Sequence, residues 1–144
     1  MQPARRAYLF MCEWNRNLII QDVVLAIVIN TSATLLAGDP FDHTWYIFTC
    51  VALATNVVGQ LILPTGSWAR AATSPLGDAA WRVYAQIFVE NLIFVTVISF
   101  TEAWVHTGGA GIVAAWLSTY VQLVLVGYVT SVLLFRALAP RPQK

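Results

Sequence analysis

Apolar residues run through this chain in four long stretches, and the polar residues set within them recur at helical rather than alternating intervals. The stretches run roughly from Leu18 to Leu36, Trp45 to Leu63, Val83 to Trp104 and Ile112 to Ala137. At 1.5 Å rise per residue, about 20 residues cross a hydrocarbon core of ~30 Å, so each stretch predicts one transmembrane helix. At about 100° per residue, Asn17, Gln21, Val28 and Ser32 share one face of the first helix, and Asp22, Ala26, Asn30 and Ala33 share a neighbouring one. The third helix repeats both faces, as Gln86, Glu90, Val97 and Thr101 and as Asn91, Val95 and Glu102. The second carries a stripe of Thr49, Ala52, Asn56, Gly59 and Gln60, and the fourth one of Thr119, Gln122, Val126 and Thr130. An unsatisfied polar group in lipid costs several kcal/mol, so these stripes must face protein or water. They outline a candidate polar seam of Gln21, Asp22, Asn30, Asn56, Gln60, Gln86, Glu90, Asn91 and Gln122, with Arg136 at the end of the last helix.

An internal repeat emerges when the pattern is compared with itself. A shift of 69 positions places Asn17 on Gln86, Gln21 on Glu90, Asp22 on Asn91, Asn30 on Ser99 and Ser32 on Thr101. A shift of 71 places Trp45 on Trp116, Gln60 on Ser131 and Arg70 on Arg141. The pattern therefore predicts an all-α membrane four-helix bundle made by parallel duplication of a two-helix hairpin. In this reading residues 1–144 form one domain: a cytoplasmic or interfacial segment 1–17, hairpins 18–63 and 83–137, a cytoplasmic loop 64–82, and a tail 138–144. Pro64, Gly66, Pro75 and Gly77 mark that connection as a loop, and residues Tyr8 to Trp14 suit a short interfacial helix.

Charge fixes the expected orientation. Arg5, Arg6 and Arg16 precede the first stretch, Arg70 and Arg82 separate the second from the third, and Arg136, Arg141 and Lys144 follow the fourth. The other two connections carry no Lys or Arg, and cytoplasmic loops are enriched in both, so both termini are expected inside. Trp45, Tyr46, Trp104 and Trp116 then mark outer ends, and Trp14, Trp68 and Trp81 inner ones, as interfacial anchors. Composition agrees: 58% of residues are hydrophobic and 10% charged, against about 25% charged in a soluble domain. A net charge of +1 gives no basic patch for nucleic acid, so none is expected as a partner. Arg5 and Arg6 do not make the first stretch a cleaved signal peptide, because it follows Arg16, contains Gln21 and Asp22, and lacks an A-x-A site. Cys12 and Cys50 lie at different expected depths, which disfavours a disulfide.

Two acids carry the candidate chemistry. Asp22 and Glu90 lie about four and seven residues inside their helices, roughly 6 to 10 Å deep. An intramembrane Asp costs about 2.5 to 3.5 kcal/mol on insertion scales, which makes such an acid a functional candidate, with Arg136 at a depth to pair with either. At the outer face His43, Glu102 and His106 are weak candidates for a transition metal, since Glu102 and His106 stand one helical turn apart. No phosphate-binding, zinc-protease, nucleophile-elbow or C-x-x-C motif occurs, so neither an enzyme nor a cofactor is expected.

Asn30 ahead of Leu35 to Gly38, Val97 to Phe100 before Thr107 to Gly109, the Trp116-Leu117-Ser118-Thr119 start and the Leu134-Phe135-Arg136 end of the last helix give the chain a family likeness. On these residues it resembles small bacterial membrane proteins built from two tandem two-helix domains of unknown function. That resemblance implies a bacterial cytoplasmic membrane, and no activity. The residues themselves lead to a small transporter or channel-like protein for a cation, a proton-coupled solute or a small polar molecule. Four helices enclose too narrow a route alone, so a homodimer is expected as the working unit. The competing expectation is a non-catalytic accessory or assembly subunit, whose polar stripes dock a larger membrane complex.

Overall fold

The computed structural model describes residues 16–138. They form helices α1 (Arg16–Ala37), α2 (His43–Ile62), α3 (Thr65–Ala72), α4 (Arg82–Thr107) and α5 (Ile112–Leu138), with a 3-10 turn at Ser74–Leu76. Among the described residues, α1, α2, α4 and α5 are long and apolar enough to cross a membrane, and there are no strands. Their bounds lie within three residues of those expected from the sequence. The expected interfacial helix at 8–14, Cys12, and the basic residues Arg5, Arg6, Arg141 and Lys144 lie outside the described residues.

Local chemistry sets the helix ends. After Ala37 the chain turns through Gly38 at φ +73°, where the amides of Gly38 and Asp39 return to the carbonyls of Leu35 and Thr34. This Schellman pattern satisfies two of the carbonyls that a helix end leaves without partners. Asp42 then caps α2 by accepting the Thr44 amide at 2.8 Å. Pro64 follows α2, and Gly108, in the left-handed region at φ +61°, closes α4.

The connection 64–82 is not the loop that its glycines and prolines suggest. Pro64 needs no amide partner and its carbonyl accepts from Ser67 and Trp68, so it starts α3 rather than breaking a helix. Ala69, Ala71 and Ala72 carry the helix on, and Gly66 weakens only its first turn. Thr73 ends it by donating its hydroxyl to the Ala69 carbonyl at 2.8 Å, ahead of Pro75. Thr65 and Ala69 are buried, and the helix packs on α4.

The long helices touch in a cycle: α1 on α2, α2 on α4, α4 on α5, and α5 on α1. Hydrogen bonds that pair Asn30 with Trp45 and Asp22 with Asn56 run α1 and α2 antiparallel. Bonds from Asn91 to Val124, Thr96 to Tyr120 and Trp116 to Ser99 do the same for α4 and α5. Ala26, Ile29, Ala52, Val95, Ile98, Leu123 and Val124 meet in the centre. Val121, Leu125, Val129 and Leu133 form an exposed apolar ridge along α5, with similar residues exposed on the other long helices. Such a surface suits lipid, where close packing and interhelical hydrogen bonds rather than apolar burial hold helices together. The tightest glycine is Gly127, where a Cβ would lie 2.5 Å from Asn91 Oδ1 and 2.8 Å from Val95 Cγ2.

Trp45 and Trp116 do more than anchor. Their indole N–H groups donate to Thr31 at 3.3 Å and to Ser99 at 2.9 Å, tying each hairpin together near its turn. Trp68, Trp81 and Trp104 are exposed, as interfacial rings would be.

Candidate functional site

Arg16, Arg70, Arg82 and Arg136 all lie toward one end of the long helices, and a cavity of about 730 Å³ lies at that end. α1 contributes Gln21 and Asp22, α2 Asn56 and Gln60, α3 Ser67 and Arg70, and α4 Glu90 and Asn91, with Ser131 of α5 at its wall. Asp22 lines it and is only 2% exposed. Its Oδ1 accepts from Asn56 Nδ2 at 2.7 Å and from Gln60 Nε2. Asp22 Oδ2 and Asn56 Oδ1, both buried, have no hydrogen-bond partner in the protein. Two acceptor oxygens of residues that line one polar cavity thus lack a donor, which is costly for buried polar groups.

Glu90 stands half-buried along this cavity, immediately before Asn91, the first buried residue of α4. Arg70 exerts the attraction it feels, and both side chains converge on Gly66, where a Cβ would be 3.4 Å from Arg70 Nη1 and 3.6 Å from Glu90 Oε1. α3 thus packs against α4 at Glu90, with no crowding at Gly66. Sequence reading gave Arg70 only a topological role, because its approach to Glu90 depends on α3.

The expected seam is divided. Gln21, Asp22, Asn56, Gln60, Glu90 and Asn91 come together at the arginine end, where the Asn91 amide also donates to the Val124 carbonyl at 3.0 Å. Asn30 instead lies toward the opposite end, donating to the Trp45 carbonyl at 2.9 Å and to Thr49 Oγ1 at 2.7 Å. Between the two regions sit Ile29, Ile98 and Leu123, the largest apolar side chains to be fully buried. Gln86 is half-buried and does not line the cavity. Gln122 is exposed, because the buried face of α5 is Leu123, Val124, Gly127 and Ser131. Arg136 is also exposed, and its guanidinium donates to Tyr84 Oη at 3.3 Å and lies over that ring rather than against an acid.

A second cavity, of about 230 Å³, lies at the opposite end. Glu102 and His106 both line it, but they differ in environment: Glu102 is buried, whereas His106 is exposed and its ring stands 5.9 Å from that of Phe48. His43 is exposed beside Asp42, 4.0 Å away. Among the described residues no group of three or more His, Cys, Asp or Glu is placed to hold a metal ion. Asp42, in the turn before α2, is held below the usual carboxylate range mainly by its bonds with Thr44. Cys50 is a free, exposed thiol.

No family model, curated protein or solved structure matches this chain. What the geometry defines is a class: an all-α protein with four apolar helices of membrane-spanning length and a polar, acid-containing cavity between them.

Proposed function

We propose that the chain is a small membrane transporter or channel-like protein whose cavity at the arginine end takes a small cation, a proton-coupled solute or a small polar molecule. The observation that carries this reading is the buried Asp22 carboxylate, with one oxygen held by two amides and the other without a partner, as Asn56 Oδ1 is too. A solute bringing N–H donors or positive charge would satisfy such oxygens, and Arg70 beside Glu90 offsets the second acid. The apolar layer of Ile29, Ile98 and Leu123 suits a closed barrier between the two ends.

In the same reading the arginine end is cytoplasmic, both termini are inside, the membrane is a bacterial cytoplasmic one, and two copies form the working unit. A parallel duplication is supported by the core itself. Asp22, Ala26, Ile29 and Asn30 of α1 are buried, and so are Asn91, Val95, Ile98 and Ser99 of α4, each 69 positions on.

Uptake into proteoliposomes tests the transport reading. Wild-type protein should pass at least one small cation, proton or polar solute, and Asp22→Asn should lower that flux about tenfold or more, the kinetic equivalent of ~1.4 kcal/mol. Glu90→Gln is the second variant, should Asp22→Asn fail to assemble. No flux above protein-free vesicles for any such solute would overturn the reading and favour an accessory subunit.

A further inference from the structure

Glu102 presents an unmet chemical demand away from the site described above. It is 7% exposed, and neither Oε1 nor Oε2 has a hydrogen-bond partner in the protein. A buried carboxyl group left unbonded on both oxygens is costly in either protonation state, so the position favours a ligand that brings donors. Glu102 lines the smaller cavity, twelve residues along α4 from Glu90 and therefore about 18 Å away along the helix axis.

The walls of this cavity narrow the choice of ligand. No Lys or Arg lines it; the other titratable groups there are Asp39, from the turn after α1, and His106 of α4. The hydroxyls of Thr34, Ser99 and Ser118 each donate to a backbone carbonyl in their own helix, leaving oxygens that can only accept. Much of the remaining wall is apolar: Ala33, Leu36, Ala103, Ala115, Leu123 and the ring of Phe48. Among the described residues no group of three or more His, Cys, Asp or Glu is placed to hold a metal ion, and the apolar share of the wall gives a bare alkali ion nothing to bind on that side. An alkylammonium ion suits such a lining better. Its N–H groups would bond Glu102, its charge would be neutralised there, and its alkyl part would lie on the apolar wall and the Phe48 face.

We propose that the cavity around Glu102 is a second binding site, which takes a small primary alkylammonium ion with Glu102 as its counter-ion. The site is separated from Asp22 by the layer of Ile29, Ile98 and Leu123, so it stands whether or not a solute crosses the protein. Binding rather than flux is therefore the test.

Full-length protein in lipid discs, in a sodium chloride background, is titrated calorimetrically with butylammonium, with butanol as the uncharged analogue of the same shape. Saturable binding of butylammonium is expected, with none of butanol. Glu102→Gln should weaken it about tenfold or more, as loss of a charge-assisted pair does. Ala115→Leu, which keeps the acid and fills the cavity, should weaken it similarly, and decides the matter if Glu102→Gln does not fold. Arg136→Gln, at a residue exposed on Tyr84 at the opposite end, should leave it unchanged. The proposal is overturned by no saturable binding, by equal binding of butanol, by sodium competing at equal concentration, or by loss in Arg136→Gln with retention in Glu102→Gln.

Discussion

Gly127→Ala should loosen the packing of three helices at once, and the size of the effect follows from the geometry. The added Cβ would stand 2.5 Å from Asn91 Oδ1, 2.8 Å from Val95 Cγ2 and 3.2 Å from Ile29 Cδ1. Favourable carbon contacts lie near 3.5 to 4.0 Å, so α5 must retreat from α1 and α4 by roughly 1 Å. Overpacking of this kind costs about 1 to 3 kcal/mol. Displacing the Asn91 amide from the Val124 carbonyl adds ~0.6 kcal/mol, the average for such bonds between membrane helices. Alanine returns about 1 kcal/mol through its better helix propensity, which leaves a net loss of about 0.6 to 2.6 kcal/mol. Gly59→Ala is the matched control, since its Cβ would meet only the edge of the Phe94 ring, at 3.3 and 3.7 Å. That ring is half-buried and needs to give by a few tenths of an ångström, so the control should stay within about 1 kcal/mol of wild type. Reversible unfolding in mixed micelles, followed by tryptophan fluorescence, measures both. A Gly127→Ala protein as stable as wild type, or a Gly59→Ala protein that is the weaker of the two, would refute the packing described.

Two further predictions concern charge. In the flux assay Arg136→Gln should change transport by less than about twofold, because that guanidinium is exposed on Tyr84, whereas Arg70→Gln should lower the KM of a cationic solute about threefold or more by removing a like charge from the cavity edge. Equal effects of the two would contradict this assignment. The Asp42 cap should respond to acid: its carboxyl is depressed in the folded protein, so its contribution is complete above the ordinary carboxylate range and is lost as pH falls through the lower folded value. Protection of the Thr44 amide, measured against its intrinsic exchange rate at each pH, should fall over that acid window in wild type and be lost at every pH in Asp42→Ala; unchanged protection in that variant would remove Asp42 as the cap.

The long helices were legible in the sequence because length and apolar runs are local signals, whereas the Gly38 turn and the Asp42 cap at their ends came only from the structure. The sequence also placed Asp22, Asn56 and Gln60 on stripes that meet, since buried polar residues have few other places to go. Which face of a helix turns inward is harder to read when lipid is as apolar as the core. Gln122 marked a polar face of α5, yet the inward face is set by Gly127, whose missing side chain leaves no hydropathy signal. Glycine and proline concealed α3, and with it the approach of Arg70 to Glu90. The pairing of Glu102 with His106 was visible as a spacing, but spacing alone does not show that one is buried and the other exposed.

Whether the cavity around Asp22 is open to water decides between a route for solutes and a packed docking seam, and Ser131 is placed to report on it. It lines that cavity, is 4% exposed, and sits seven residues from the end of α5, about 10 Å into the helix. Ser131→Cys in a chain with Cys12 and Cys50 replaced by alanine, reconstituted in one orientation, is treated with a membrane-impermeant thiol reagent from each side in turn. Labelling should proceed from the arginine side alone and slow when a transported cation is present. No labelling from either side, or labelling only from the opposite side, would contradict the cavity as the working site.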